Sequence, residues 1–252
     1  MPMSAGGADF SVQGKVVIVT GAAAGIGRSI ALELGRAGAN VACVDVNEDH
    51  VKTVAGEIGE NALAIKCDVR DEAQVNLTVE QTLSKWKKID GLINNAGAIR
   101  SAHVIDQSLE DWRFIFDVNV VGTFLFTRAV LPHMKARKSG RIVNLTSALG
   151  VRSTVGAAAY GASKAAVSSF TNTLHQEVAD FGIRVSAIAP GLTNTALASA
   201  SLSEDYMRRI AAQYPGGRLG EPDDIAGLAH FLMSSASEHI SGSVIFVRPP
   251  GG

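Results

Sequence analysis

The sequence predicts an α/β fold, a doubly wound sheet of about seven parallel strands with helices on both faces. Two patterns lead to it. Short β-branched runs alternate along the chain with longer segments of helical period. Several of those runs are apolar on both alternating faces, as strands buried on both sides of a parallel sheet are. Strict alternation of the two element types gives right-handed crossovers that place helices on the two sides of the sheet.

Taken in order, the strands are expected at 15–20 (KVVIVT), 40–45 (NVACVD), 62–67 (ALAIKC), 90–95 (DGLINN), 140–145 (GRIVNL), 183–189 (IRVSAIA) and 243–248 (SVIFVR). Helices are expected near 25–37, 48–58, 71–85, 108–137, 157–181 and 222–235. No repeat, low-complexity tract or linker composition divides the chain, so residues 1–252 read as a single domain. One segment breaks the rhythm. About 192–218 (LTNTALASASLSEDYMRRIAAQYPGGR) is far longer than a usual connection from strand to helix. Such an insertion is a substrate lid or an ordinary pair of packed surface helices, and length alone does not separate the two.

Composition excludes several functions. The 252 residues carry a net charge of −1, 6% aromatic residues and no basic block, so nucleic-acid binding has no electrostatic footprint. No apolar run approaches the roughly 20 residues needed to span a bilayer, and the start MPMSAGGADFSVQG lacks the pattern of a signal peptide. The two cysteines, Cys43 and Cys67, lie in apolar strand-like runs and read as free buried thiols of a reducing compartment. A cytoplasmic location is the expectation. Six histidines at 50, 103, 133, 175, 230 and 239 are scattered without ligand spacing, so no metal is expected.

A phosphate cradle is written into VIVTGAAAGIGRSIALELG. Here a strand turns through Gly21, Ala24, Gly25, Ile26 and Gly27 into a helix. Glycines permit the backbone angles and the close approach that a pyrophosphate needs, and the helix N-terminus supplies free N–H groups. Asp45 closes the next strand, the usual context for dinucleotide binding. A carboxylate there accepts from the adenosine ribose and repels a 2′-phosphate by about 4 kcal/mol at 4 Å and an effective dielectric near 20. Ala22, Ala23 and Ala24 offer no offsetting cation, and Arg28 is the one objection. The cofactor expected is NAD.

In AAAYGASKAAV, Tyr160 and Lys164 stand four apart on one helical face. Tyrosine ionises near pH 10. A nearby ammonium and the positive nicotinamide ring would stabilise its phenolate, making the pair an acid/base device. Alone, such a spacing also arises by chance. Ser147 ends RIVNLTS upstream, NNAG (94–97) ends the fourth strand, and Asn119 sits in DVNVVG.

With TGAAAGIG, NNAG, VNVVG, Ser147, YGASK and APGLTNT in this order and spacing, the chain resembles the short-chain dehydrogenase/reductase family from Gly14 to about Val247. The resemblance implies a Rossmann-like fold and an NAD(H)-dependent interconversion of a secondary alcohol and a ketone. It gives Tyr160 the proton exchange, Ser147 a hydrogen bond to the substrate oxygen, and Lys164 the lowering of the tyrosine pKa plus a hold on the nicotinamide ribose. Asn119 would anchor a proton-relaying water. Asn95, Ala96 and Gly97 would line the cofactor cleft. Asp68, with Val69 beside it, would meet the adenine. Pro190, Gly191, Thr193 and Thr195 would set the carboxamide end. Small-molecule alcohols or ketones are the expected partners, and a homo-oligomer, a tetramer by family analogy, is the expected assembly.

Two alternatives are carried with it. One is an NADPH-dependent 3-oxoacyl-type ketoreductase, whose usual loop arginine is replaced here by Ala24 and whose basic helix end is replaced by Gln176, Glu177 and Asp180. The other is a catalytically idle dinucleotide sensor, disfavoured because a sensor needs no set of Asn119, Ser147, Tyr160 and Lys164. Candidate pocket residues are Ala98, Ile99, Ala148, Leu149, Ala157, Leu192, Leu197, Leu202, Tyr206 and Met207, with Arg100 and Arg152 able to meet an anionic group. The ending FVRPPGG departs from the family, whose last strand is often followed by an aspartate and two glycines. Arg248, Pro249 and Pro250 stand there instead.

Overall fold

The computed structural model describes residues 8–152 and 154–248; Pro249 and Pro250 lie outside them. Seven parallel strands form one sheet: β1 Val16–Thr20, β2 Asn40–Asp45, β3 Ala62–Lys66, β4 Gly91–Asn94, β5 Gly140–Leu145, β6 Ile183–Pro190 and β7 Val244–Val247. Their order is β3-β2-β1-β4-β5-β6-β7, the Rossmann-like arrangement expected. β1 pairs with β2 on one side (Val17 opposite Val41) and β4 on the other (Ile18 opposite Leu92). The chain therefore reverses direction across the sheet at β1, and a crevice opens at the carboxyl ends of these strands.

Period-two alternation splits each strand between two cores. Val17, Val19, Val41, Cys43, Ile93 and Val143 pack under helices α1 (Gly25–Arg36), α2 (Glu48–Ile58) and the later Pro222–Met233 helix, through Ile30, Leu34, Val51, Ile225 and Leu232. Ile18, Ala42, Val44, Leu92, Ile142 and Val185 face the other side. There they meet α3 (Glu72–Trp86), the Gly122–Arg137 helix and the long Ala158–Val178 helix through Val75, Val79, Phe126, Met134 and Leu174. Helix starts follow local chemistry. Asn47 accepts from the His50 N–H at the head of α2, and Asp71 accepts from Ala73 and Gln74 at the head of α3.

The expected 108–137 helix is interrupted. α4 (Leu109–Phe116) runs into a π-helical turn at Asp117–Val121 before α5 (Gly122–Arg137) continues. The whole run, Leu109–Arg137, is long and apolar enough by composition to cross a membrane, which corrects the reading that no stretch is. Its Leu125, Phe126, Val130 and Met134 are instead buried against the sheet. After α6 (Ala158–Val178) and β6, the inserted segment forms two short helices, α7 (Ala196–Ser201) and α8 (Glu204–Gln213), before α9 (Pro222–Met233). The base of this insertion is closed by Gly220 N–H donating to Leu192 O at 3.1 Å and Asn194 N–H donating to Gly220 O at 2.8 Å.

Candidate active site

The turn after β1 is shaped by what glycine leaves out. A Cβ on Gly21 would lie 2.8 Å from Asn95 Nδ2 and 2.9 Å from Ala96 Cα, and Gly21 holds φ at +65°. A Cβ on Gly27 would collide with the carbonyl of Gly21. The space above is kept by a lock between β1 and β4. Asn95 Nδ2 donates to the carbonyls of Thr20 (2.9 Å) and Gly21 (3.1 Å), and Thr20 Oγ1 accepts from the N–H groups of Asn95 and Ala96. Ala24 heads α1 with no capping side chain, so the first turn keeps free N–H groups for an anion. The loop fits the pyrophosphate of a dinucleotide.

Asp45, at the end of β2, accepts from the N–H of Ala23 (3.1 Å) and of Asn47 (2.9 Å). Its carboxylate is thus fixed beside the glycine loop. Arg28 is held elsewhere, donating to both carboxylate oxygens of Glu57 at 2.9 and 2.7 Å.

Ser147 follows β5 and accepts from Leu149 N–H at 3.1 Å, opening a single 3-10 turn. Tyr160 and Lys164 lie on the first turns of α6. Tyr160 is half-buried and hydrogen-bonded to the Ser147 side chain. Lys164 is 4% exposed, donates to Leu145 O at 2.8 Å, and its Nζ lies 5.7 Å from the centre of the Tyr160 ring. Burial pushes the lysine down to about 8. Burial also pushes the Tyr160 phenol up, with the Ser147 hydrogen bond opposing it. The expected lowering of the phenol is therefore not what the protein alone produces: desolvation outweighs the Ser147 hydrogen bond.

Asn119 occupies the π turn, 1% exposed. Its Oδ1 accepts from Ala98 N–H at 2.7 Å, while Nδ2 donates to Ala98 O at 3.0 Å and Ser163 Oγ at 2.9 Å. It clamps the strand-end loop after NNAG. A Cβ on Gly97 would lie 3.4 Å from both Asn119 Oδ1 and Lys164 Nζ, so that glycine lets the loop pass over both groups.

One cleft of about 770 Å³, in the usual range for a ligand site, is lined by most of these residues. Gly21, Ala24, Gly25, Ile26, Asp45, Asn95, Ala96, Gly97, Ser147, Tyr160, Lys164, Pro190, Gly191, Thr193 and Thr195 all face it. Asn119 and Gly27 do not line it and lie behind its wall. At the β6 end, Gly191 N–H donates to Val247 O at 2.8 Å and Thr193 Oγ1 to Gly191 O at 3.1 Å. Thr195 caps α7 by accepting from Ala198 N–H at 3.2 Å.

Asp68 and Val69 are not brought into the cleft. Asp68 is gripped by Arg70, whose Nε lies 3.0 and 3.1 Å from its two oxygens, and this pair holds the carboxyl below its ordinary range. It lines a separate shallow depression with Arg70, Asp71, Asp117 and Val121. Val69 is buried beside Gly122. Of the candidate pocket residues, Ala98 and Met207 do not line the cleft; Ile99, Ala148, Leu149, Ala157, Leu192, Leu197, Leu202 and Tyr206 do. Arg100 is consumed by Asp111 and stacks over Phe114, whereas Arg152 lines the cleft.

Sequence reasoning missed two supports. Thr20 organises the β1–β4 lock, and its signal was its place immediately before the glycine loop. Beneath the site, Asn94 Nδ2 donates to Asn144 Oδ1 (2.9 Å) and Thr127 Oγ1 (3.1 Å), and Asn144 Nδ2 donates to Thr171 Oγ1 (2.9 Å). These four polar side chains are buried and mutually satisfied, tying β4 and β5 to α5 and α6. Arg248, following β7, also faces the cleft.

A switch-point crevice, a glycine cradle and a Ser–Tyr–Lys set beside it define an oxidoreductase that uses a nicotinamide dinucleotide. Residues 15–205 match the family model for short chain dehydrogenases, and the chain belongs to that family. It is 37% identical over 244 residues to a 3-oxoacyl-(acyl-carrier-protein) reductase of Aquifex aeolicus, covering 95% of this chain and 98% of that one. A 3-ketoacyl-(acyl-carrier-protein) reductase of Brucella melitensis, solved with NADH, superposes with a TM-score of 0.90 at 36% identity, covering 94% of this chain and 98% of its own. A Beutenbergia cavernae structure with NADP at low occupancy gives 0.89 at 39% identity, with 94% and 96% covered.

Proposed function

We propose that the protein interconverts a secondary alcohol and a ketone with NAD(H), Tyr160 exchanging the proton at the substrate oxygen. The observation that carries this reading is the convergence of Ser147, Tyr160 and Lys164 on the wall of a cleft whose other end holds Asp45. When bound, the dinucleotide takes or gives the hydride. The chain's own residues then have one proton to manage.

In the reducing direction Tyr160 donates to the developing alkoxide, and burial keeps its phenol protonated for that task. Ser147, already bonded to Tyr160, donates to the same oxygen and steadies its charge. In the oxidising direction the ionised Tyr160 takes the alcohol proton and becomes the phenol, and the ammonium of Lys164 stabilises the phenolate before that transfer. Asn119 acts as a positioning residue, bonded to Ala98 and to Ser163, the residue before the lysine.

For NAD over NADP the support is electrostatic. The Asp45 carboxylate stands beside the glycine loop and Arg28 is paired with Glu57, so a 2′-phosphate meets an anion without a free cation in the loop. A second reading, NADPH-dependent reduction of 3-oxoacyl thioesters, is favoured by the reductases named above, which share over a third of this sequence. The two are separated by nicotinamide fluorescence with NADH and NADPH, followed by turnover of secondary alcohols with NAD and of a 3-oxobutanoyl thioester with NADPH. Tight NADH binding, and alcohol oxidation abolished in Tyr160→Phe, is the expected result. Preference for NADPH with thioester turnover selects the second reading.

A further inference from the structure

Resting on the NAD reading above, we propose that Glu57 is a positioning residue for cofactor choice. It holds Arg28 away from the ribose end of the cleft, where that guanidinium would otherwise meet a 2′-phosphate. Dinucleotide sites of this fold select their cofactor by an acid at the end of the second strand or by an arginine nearby. This chain carries both, and its arginine is engaged. Asp45 closes β2 and accepts from the Ala23 N–H at 3.1 Å, so the acid touches the glycine loop. Arg28 stands one helical turn beyond that loop, its N–H donating to Ala24 O at 3.2 Å. Ala24, Gly25, Ile26 and Asp45 line the cleft, and Arg28 does not.

The direction in which Arg28 is held follows from how α1 and α2 lie. Both helices start at the carboxyl edge of the sheet, after β1 and β2, and run back toward its amino edge. Their last turns meet, for a Cβ on Gly35 would lie 2.6 Å from Ile58 Cγ2. Glu57 precedes Ile58 and stands at that level. Arg28 comes seven residues before Gly35, about 10 Å nearer the cleft along α1. Helical side chains lean toward the N-terminus of their own helix, which for Arg28 is toward the glycine loop. Glu57 draws the guanidinium the other way: Arg28 Nη2 lies 2.9 and 2.7 Å from its two carboxylate oxygens. The two side chains are 42% and 40% exposed, so the pair is a light restraint, able to shift an affinity by about two- to fivefold. Lys66, opposite Asp45 in the β2–β3 register, is another cation near this end, and it lies 3.6 Å from Glu48.

The test titrates NADH and NADPH, by nicotinamide fluorescence, into the wild type and four variants. These are Asp45→Ala alone, with Glu57→Gln, with Arg28→Gln, and with both. Removing Asp45 lifts the repulsion of the 2′-phosphate, so the Glu57 contrast is read within that background. The expected result is that Glu57→Gln raises NADPH affinity about two- to fivefold when Arg28 is present and leaves it unchanged when Arg28 is glutamine. NADH affinity stays level between each pair with and without Glu57. A merely structural role for Glu57 would move both nucleotides together. Equal NADPH affinity in Asp45→Ala and Asp45→Ala/Glu57→Gln overturns the proposal. So does a gain shared by NADH, which reports a general change of charge. A gain of the same size with and without Arg28 overturns it too, and passes the role to Lys66. A wild type that prefers NADPH sinks the NAD reading, while the Glu57 contrast still decides this proposal. Binding of neither nucleotide by any of the five proteins overturns both, a pattern distinct from the failures above.

Discussion

Lys164 Nζ donates to the carbonyl oxygen of Leu145 at 2.8 Å, joining α6 to the last residue of β5. The bond anchors a buried ammonium 5.7 Å from the centre of the Tyr160 ring. The anchor has a thermodynamic consequence. Lys164 ionises near 8 in the folded protein, against 10.5 for a free lysine. Below pH 8 both folded and unfolded chains hold the proton, and the folded state bears the whole burial cost. Between about 8 and 10.5 only the unfolded chain binds it, so stability rises with pH. Over that window the wild type gains about 3 kcal/mol relative to Lys164→Met. Urea denaturation of both proteins at pH 7.5, 9 and 10.5 measures this. A constant difference across the range shows that Lys164 does not titrate there. Activity in the same variant falls at least about a hundredfold, the usual scale of an acid/base contribution.

Much of this site is legible before any coordinates. Val17, Ile18 and Val19 are apolar on both faces, and only a sheet covered on both sides accounts for them. The spacing of Gly21, Gly25 and Gly27 between a strand and a helix carries the cradle. What the sequence does not reveal is balance and direction. The pair Tyr160 and Lys164 is visible as neighbours, but the outcome of burial against charge depends on how deeply both lie. Asp68 looks like a free acceptor until the turn to Arg70 closes on it. The π turn around Asn119 leaves the apolar pattern of 108–137 unchanged, because one widened turn shifts side chains without altering composition. Arg100 and Arg152 are indistinguishable as letters. Only the fold commits one to Asp111 and turns the other to the cleft.

In the NAD reading proposed above, Asp45 is the selector, through a carboxylate fixed by two backbone N–H groups. Replacing it with alanine removes the repulsion of a 2′-phosphate and also removes the acceptors offered to a ribose. The expected outcome for Asp45→Ala is a shift in the NADPH-to-NADH affinity ratio of about ten- to a hundredfold toward NADPH. Fluorescence titration of both nucleotides reads it. An unchanged ratio assigns selectivity to another group.

Gly27 lies on the inner side of the α1 entry, where a methyl group would meet the carbonyl of Gly21 and the Asn95 amide. The obstacle is backbone, so the helix must shift. Gly27→Ala is expected to cost about 1–3 kcal/mol of stability and to weaken NADH binding more than tenfold, because the displaced turn is the one whose N–H groups face the anion. Calorimetric melting with and without NADH measures both effects. A variant that melts lower yet keeps its nucleotide affinity separates packing from the cradle.

Asn119 offers the sharpest distinction between positioning and chemistry. Its side chain uses both amide hydrogens and its oxygen inside the protein, on Ala98 and Ser163. Asn119→Ala strands the Ala98 N–H and carbonyl and removes the donor to Ser163 Oγ in a nearly water-free place, a loss of about 2–4 kcal/mol. Asn119→Asp keeps the acceptor for Ala98 N–H but sets a carboxylate against the Ala98 carbonyl. The Ser163 hydroxyl donates to Tyr160 O and is not free to turn. A positioning role predicts that both variants lower kcat while leaving the KM for NADH within about twofold, since Asn119 lies behind the cleft wall. It also predicts that the pH at half-maximal kcat moves higher in Asn119→Asp, because an added anion near Lys164 favours the ammonium. Steady-state pH profiles of the two variants decide the matter. Unaltered kcat in Asn119→Ala, despite its lower stability, reduces the π turn to a packing feature.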